Sequence, residues 1–182
     1  MSPSWTWREG EGWFDDYDCR KSAYRSVFSG ACGHTYGCHA VWQMFDPQRN
    51  PAINHARTPW PQAIELPGAN QMQHLRTLWE SRPALGRRPD QALLLYPQNQ
   101  WDPAQHIRAI SASDGSHAFI YAPTPQLIRP ELSRLGGRAR ASWFDPRTGD
   151  WIEIGVIGAS DLPLDPPAAQ GGPDWVLVLD AA

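Results

Sequence analysis

The sequence predicts an α+β protein with a helical first half and an antiparallel β second half. Apolar residues recur every three or four positions within residues 16–29 and residues 68–82, which is helical spacing. From residue 107 onward, short apolar stretches alternate with glycine-containing turns, a pattern typical of antiparallel strands. We therefore predict two units, residues 1–105 and residues 106–182.

The first predicted helix begins among acidic residues. Asp15, Asp16 and Asp18 stand where carboxylates cap a helix N-terminus and complement its dipole. Tyr24 and Phe28 then recur on one face, four residues apart. Capping accounts for the three carboxylates, so we assign them no catalytic role.

A glycine-rich segment with histidines and aromatics follows this helix, at residues 30–43. Gly30, Gly33 and Gly37 make it a poor helix, and its polar residues are too many for a simple buried strand. We predict a strand that ends in a functional loop.

The next elements are a proline-rich loop and a second helix. Five prolines within residues 46–67 exclude a continuous helix and predict a long ordered loop. Residues 68–82 have one apolar face and end before Pro83, as expected for an amphipathic helix. A connector over residues 87–102 contains one short apolar piece, Ala92 to Tyr96.

The second half is predicted to form two hairpins and a last strand. Asp114-Gly115 supplies a tight turn between residues 107–113 and residues 117–122. A longer turn after Phe144 joins residues 138–144 to residues 151–157, and residues 175–179 form the last strand. Short strands at this spacing predict a small antiparallel β-sandwich.

Composition excludes several classes of function. The net charge is −3, and no block of lysine or arginine is interleaved with the aromatics, so we expect no nucleic-acid partner. No apolar run reaches about 18 residues, so we expect no membrane span. Residues 1–5 have neither the basic nor the apolar region of a secretory signal, and the localisation stays unknown.

The cysteines and histidines do not form a recognisable metal or nucleophile motif. Cys32, His34, Cys38 and His39 lie within eight residues, but no second pair of ligands accompanies them, as a structural zinc site needs. A catalytic thiolate needs an activating base and an oxyanion-binding signature, and the second is missing. We therefore predict no metal and no cofactor.

Several linked motifs recur in a fixed order over roughly residues 12–180. They are Phe14-Asp15-Asp16-Tyr17-Asp18, Arg20, Tyr24, Gly33-His34-Thr35-Tyr36-Gly37 and Trp42-Gln43, then Ser113-Asp114-Gly115, the turn from Trp143 to Gly149, and the run from Asp174 to Leu179. Through the motifs of its first half, the chain resembles the end of the catalytic barrel of apiosidase-like glycoside hydrolases. Through those of its second half, it is similar to the β-domain that commonly follows that barrel, which is described as a putative collagen-binding domain of a collagenase.

The resemblance implies a partial (β/α)8 barrel, reduced to its last βα elements, followed by the β-sandwich. A complete barrel needs about 250 residues, more than the first half supplies. By the same resemblance, both catalytic carboxylates of a retaining glycosidase would lie upstream of Met1, so we expect no catalytic residue in this chain.

The resemblance also implies that this chain contains part of the rim of a sugar-binding pocket. Strand ends and their loops build the site of a (β/α)8 barrel, which places five residues at the rim. His34 and Gln43 would bind sugar hydroxyls, and Tyr36 and Trp42 would stack on sugar rings, with His39 beside them. The alternative is that His34 and Gln43 only tie down the glycine loop and Trp42 packs beneath it.

Two functions remain open from the sequence. The first is the C-terminal part of an apiosidase-like glycoside hydrolase that acts on plant-type polysaccharide side chains and is inactive alone. The second is a free-standing carbohydrate- or collagen-binding β-domain with Trp143 or Trp151 on its binding face. Both take an oligosaccharide as partner, and nothing in the residues indicates collagen binding. Proteins of the parent family are often secreted or periplasmic.

Overall fold

The structure is a computed structural model that describes residues 12–95, 102–168 and 172–182. Its first part carries the α-helices and its later part carries the β-strands. The helices are α1 (Asp16–Phe28), α2 (His39–Trp42), α3 (Trp60–Ala63), α4 (Pro67–Asn70) and α5 (Met72–Glu80). The strands are β1 (Arg87–Pro89), β2 (Arg108–Ala112), β3 (His117–Ala122), β4 (Ala139–Phe144), β5 (Trp151–Ile157) and β6 (Trp175–Ala181). Short 3-10 helices occupy Gln91–Leu93, Pro103–Gln105, Leu132–Leu135 and Ala159–Asp161.

Helix α1 begins with a complete capping box, as its acidic start predicts. The Asp15 carboxylate accepts from the Asp18 backbone N–H at 3.2 Å, and the Asp18 carboxylate accepts from the Asp15 backbone N–H at 3.2 Å. Tyr24 and Phe28 are fully buried on the face that meets the sheet. The predicted helix is confirmed, and it ends at Phe28.

The strands form one antiparallel sheet in the order β1-β2-β3-β6-β4-β5. Both predicted hairpins are present, β2 with β3 and β4 with β5, and β6 lies between β3 and β4. Gly115 turns the first hairpin at φ +72°, where a side chain would also place its Cβ 2.9 Å from the Arg134 carbonyl oxygen. Glycine is therefore required at that turn.

The two faces of the sheet bury two separate cores. On β3, Phe119 and Tyr121 face α1 and α5, whereas Ala118 and Ile120 face the opposite core. The opposite core is completed by side chains from the connections, such as Ile128. Strands buried on both faces explain the continuous apolar run of β6.

The predicted second sheet of the sandwich is not found among the described residues, where irregular connections cover the opposite core instead. Leu94 pairs with Pro130, and Ile128 pairs with Leu164, each through an isolated antiparallel bridge. Ile128 and Leu164 exchange two backbone hydrogen bonds of 2.8 Å. The described structure is thus α+β with one six-stranded antiparallel sheet.

The helical half differs from prediction in two places. Residues 31–38 form no strand, so that prediction is wrong. Most of this segment is exposed, and the described residues provide no neighbouring strand to pair with its backbone groups. The helix predicted over residues 68–82 is two helices, α4 and α5, which meet at Gln71.

The structure describes the connecting region after β1 only in part. The apolar piece after β1 ends at Tyr96, which lies outside the described residues, while Leu93 within it is fully buried. The boundary between residues 105 and 106 stays a prediction. Strand β1 precedes it and pairs with β2, so the sheet begins before that point.

A buried ion pair joins the helices to the sheet. Both Arg20 and Asp174 have fully buried side chains, and two hydrogen bonds of 3.0 Å connect them. Arg20 also donates to Asp16 at 2.5 Å and to Gln71 at 2.6 Å, while the Tyr121 hydroxyl donates to Asp174 at 3.3 Å. Burial alone lowers the pKa of Arg20, but bonds and charge from Asp174 and Asp16 outweigh burial and raise it. The guanidinium is permanently charged.

Removal of one partner from this pair should strongly destabilise the fold. We expect Arg20→Met to lower the free energy of unfolding by about 3–5 kcal/mol, because Asp174 is left as an uncompensated buried charge. Urea unfolding provides the measurement. The exposed pair Arg76–Glu80 is the matched control, and Arg76→Met should cost at most about 0.5 kcal/mol.

A double variant separates the charge effect from lost packing. Arg20→Met with Asp174→Leu should recover part of the stability that Arg20→Met loses, because no charge then remains buried without a partner. If the double variant is no more stable than Arg20→Met alone, packing rather than charge explains the loss.

Buried His117 should make the stability pH-dependent. Its side chain is 3% exposed, Nδ1 meets Ser116 Oγ at 3.0 Å, and Nε2 has no hydrogen-bond partner in the described structure. Burial, followed by the charge of Arg87, lowers its pKa. The unfolded chain therefore takes up a proton near about pH 6.5 before the folded chain does. Stability is full above that pH and declines as pH falls toward the folded pKa.

The variant His117→Phe removes this proton uptake. Between about pH 7.5 and about pH 5 its free energy of unfolding should decline less than that of the natural chain. Parallel urea-derived stability profiles for the two proteins would contradict a role for His117.

Candidate functional site

Four rings form an exposed aromatic surface on the helical half: Trp13, His39, Trp42 and His55. Trp42 is 75% exposed and Trp13 is 36% exposed. The His39 and Trp42 rings lie 5.6 Å apart, and the Trp13 and His55 rings lie 6.1 Å apart. Large indoles at such exposure are available to a flat ligand.

One loop links the two ring pairs. The Asn54 side-chain nitrogen lies 2.9 Å from His39 Nε2, and His55 is the next residue. Asn54 and His55 have φ of 50° and 60°, the left-handed region that Asn and His tolerate better than most residues. The Arg57 guanidinium covers the Trp13 ring at 4.1 Å. The four rings therefore belong to one continuous patch.

Gln43 holds this loop in place. Its amide nitrogen donates to the carbonyls of His39 at 3.1 Å and Ile53 at 2.8 Å, and its amide oxygen accepts from the Ile53 N–H at 2.8 Å. Asn50 adds bonds to the backbone around Gln43. Gln43 thus uses both ends of its amide within the protein.

A small apolar core supports the short helix that carries Trp42. Ala40 on the inner side of α2 packs with Phe45 and Ala63 of α3, all nearly or fully buried. The Trp60 backbone N–H donates to the Phe45 carbonyl at 2.8 Å and fixes the loop against α2. Because Ala40 faces this core, Trp42 two positions later points to the exposed side.

Tyr36 lies half-buried below this region, against two cysteines. Burial raises the pKa of its phenol strongly, and Cys19 and Cys38 add to the shift. Both thiols therefore lie near the Tyr36 ring, and its partial burial leaves that ring only partly accessible to a ligand.

His34 lies in a different groove, between α1 and α5. This groove has a volume of about 190 Å³, and apolar Val27, Met72 and Trp79 contribute to its walls together with Arg76. Burial lowers the pKa of His34, which favours the neutral imidazole. The structure therefore brings His39 and Trp42 together, with Gln43 below them and His34 apart.

Four of the residues that form the patch were not predicted from the sequence. Trp13 belongs to a stretch without periodicity, and Asn54, His55 and Arg57 lie inside the proline-rich loop. The available signals were a tryptophan directly before a capped helix and an Asn-His pair within a loop dense in proline. Neither signal specifies that the two segments meet.

Carboxylates near this surface have structural partners. Asp15 and Asp18 cap α1, Asp16 binds Arg20, and Asp46 accepts from the Gln48 backbone N–H at 3.0 Å. In the part of the chain that the structure describes, no group of three or more Cys, His, Asp or Glu side chains could hold a metal ion. The three cysteines are free thiols. Stacking and hydrogen bonding are thus the chemistry that the surface offers.

Family models match both halves of the chain. Residues 2–86 match the model described as "Apiosidase-like, catalytic domain". Residues 88–180 match the model described as "Putative collagen-binding domain of a collagenase". A search of curated protein sequences gives no significant match.

Solved glycoside hydrolases share the fold of the chain. A structure titled "Glycoside hydrolase" is 28% identical, with a TM-score of 0.82 over 96% of this chain and 39% of its own. A glycoside hydrolase family 5 from Bacteroides vulgatus ATCC 8482 is 25% identical, with a TM-score of 0.83 over 96% of this chain and 38% of its own. The chain therefore spans about two fifths of the length of each. No helix among the described residues has the length and apolar character to cross a membrane.

The loop that carries Asn54 should depend on Gln43. We expect Gln43→Ala to speed hydrogen exchange at the Ile53 amide, because that N–H loses its acceptor. A loss of roughly 1–2 kcal/mol in local opening free energy corresponds to the hydrogen bonds removed. Exposed Gln48→Ala in the same region is the control and should leave the Ile53 amide unchanged. Equal exchange in both variants would contradict the anchoring role.

Proposed function

The chain belongs, through residues 88–180, to the family of the putative collagen-binding domain of a collagenase, and we propose that it binds an oligosaccharide on its aromatic surface. An apiosidase-like segment precedes that domain. The main support for this proposal is Trp42, whose side chain is 75% exposed and lies against the His39 ring. An indole held in this way presents a flat apolar face to the C–H groups of a sugar ring.

The roles of the rim residues follow from their contacts. Trp42 and Trp13 are the stacking platforms, and His39 supports Trp42 while Asn54 fixes the His39 ring. Gln43 positions the loop and half-buried Tyr36 contributes at the margin, whereas His34 lies in the separate groove between α1 and α5 and is not part of this surface. The sugar is of the plant-polysaccharide type, because the first half resembles apiosidase-like proteins.

In this proposal the chain supplies the end of a glycosidase-type (β/α)8 barrel. Helix α1 and the loop after it correspond to the last βα elements, and the sheet unit packs against them as a support. Catalytic carboxylates come from a part of the enzyme outside these 182 residues, since Asp15, Asp16, Asp18 and Asp46 have structural partners. We therefore expect the 182-residue chain to bind oligosaccharide without hydrolysing it.

A second candidate places the binding face on the sheet. The structure buries Trp143 and Trp175 to 4% and 3% exposure, which leaves Trp151 as the accessible indole of β5 at 41%. Trp151 packs edge-on against Phe144 at 5.0 Å, with the Arg82 guanidinium 5.8 Å from its ring. A single indole on an edge strand is a weaker platform than the aromatic surface. Nothing in these contacts favours collagen over a sugar.

One substitution at each platform distinguishes the two candidates. We expect Trp42→Ala to weaken binding of plant-wall oligosaccharides roughly tenfold or more, because the stacking ring is lost. Trp42→Phe should retain part of the affinity, and Trp151→Ala should retain all of it. Isothermal titration with a panel of neutral plant oligosaccharides gives the affinities.

The opposite pattern would move the binding face to the sheet. If Trp151→Ala abolishes binding and Trp42→Ala does not, the β-domain is the carbohydrate-binding module. Turnover of any oligosaccharide in the panel by the purified chain would overturn the proposed lack of catalysis.

A further inference from the structure

A second groove lies on another side of α1, between that helix and the chain that enters β2. We call it the basic groove. Its volume is about 420 Å³, within the range of small-molecule sites. The lining residues are Arg25, Ser26, Ser29, Pro103, His106 and Arg108.

Basic side chains from both walls meet in this groove. Arg108 Nη1 lies 2.5 Å from His106 Nε2. Because an arginine can only donate, this contact requires the neutral histidine with Nε2 as acceptor. Arg25 enters from α1 on the opposite wall. Two permanent positive charges and a histidine thus line one small space.

The carboxylate that acts on Arg25, Asp102, already accepts hydrogen bonds from other groups. Asp102 lies close enough to Arg25 to act on it electrostatically, but its Oδ1 accepts from the Ala104 N–H at 2.8 Å and its Oδ2 from the Gln105 side chain at 2.7 Å. It does not line the groove. Among the described residues, no carboxylate lines the groove with the two arginines.

Arg25 is held in the groove wall by the backbone that precedes β2. Its Nη2 donates to the carbonyls of Ala104 at 2.9 Å and His106 at 3.1 Å, and its Nε is buried without a hydrogen-bond partner among the described residues. Burial, and then repulsion from Arg108, lowers the pKa of Arg25 and also that of His106. Negative charge in the groove would offset the repulsion between these groups.

We propose that the basic groove binds a small oxyanion, a carboxylate or a phosphate, between Arg25 and Arg108. Planar guanidinium groups match the geometry of both anions, and the hydroxyls of Ser26 and Ser29 line the same space as further donors. The dipole of α1 places about half a negative charge at this end of the helix. The two full charges of the arginines outweigh it. This proposal does not rest on oligosaccharide binding at the aromatic surface.

Titration of the 182-residue chain with three probes tests the groove: inorganic phosphate, glucuronate and glucose. Saturable binding of phosphate or glucuronate is expected, and glucose, which lacks the anion, should not bind there. Glucuronate alone would identify a carboxylate ligand, and phosphate alone a phosphate ligand. No saturable binding of either anion would overturn the proposal.

Charge-matched variants locate the site. We expect Arg108→Gln to weaken anion binding roughly tenfold, since one charge-assisted contact is lost. Arg140→Gln on β4 removes the same charge at an exposed position beside Glu153 and should leave binding unchanged. Equal weakening in both variants would mean general attraction to surface charge and would also overturn the proposal.

The His106 ring provides a readout that does not depend on affinity. Arg25 from α1, Arg108 from β2 and Asp102 from the preceding turn act on this ring or on its neighbours. A bound anion offsets the two arginines, so the pKa of His106 measured by NMR should rise on addition of the anion that binds. An unchanged His106 pKa at saturation would place the anion elsewhere and contradict the assignment.

Discussion

The contact between Arg20 and Asp174 fixes the position of helix α1 against the sheet. Arg20 lies in the second turn of α1, and Asp174 lies directly before β6, the strand between β3 and β4. An isolated buried charge is far too costly to tolerate, so each partner requires the other at close to its observed position. The apolar face of α1 supplies the larger share of burial through Tyr24 and Phe28, which stack on Tyr121 and Phe119 of β3. Such packing permits small sliding of a helix, whereas a bidentate ion pair fixes its register.

The registered helix determines where the aromatic surface can form. Residues 29–38 leave α1 without regular structure and lead into α2, so their end points are fixed by α1 and by the small core around Phe45. Trp13 lies just before the capping box of α1, and Trp42 ends α2. Both platforms are therefore attached to the same helix through short segments. The loop through Asn54 and His55 closes the gap between them.

Local signals predicted most of the fold because they act over a few residues. The capping box of α1, the Asp114-Gly115 turn and the short apolar stretches of β2 to β6 each depend on neighbours in the chain. The failed strand in residues 31–38 shows the limit. Its sequence allows extended backbone, but strand formation depends on a partner strand, which is a property of the fold around it. Gln71 likewise divides one predicted helix into two, and the Arg20 contact with its side chain is a long-range feature that no periodicity reveals.

The candidate site was predictable to the extent that it is local. His39 and Trp42 are neighbours on one short helix, so their residue types and spacing are enough to suggest a pair of rings. Trp13 meets His55 and Arg57 only because a loop about 40 residues further along the chain folds back onto it, and no local sequence pattern predicts that contact.

The tryptophans of the sheet also show that local sequence does not determine exposure. Trp143, Trp151 and Trp175 share a strand context in the sequence, yet only Trp151 is exposed, because it lies on the edge strand β5 while β4 and β6 are internal to the sheet. Exposure is thus decided by strand order, and strand order is what separates a binding platform from a core residue in this protein.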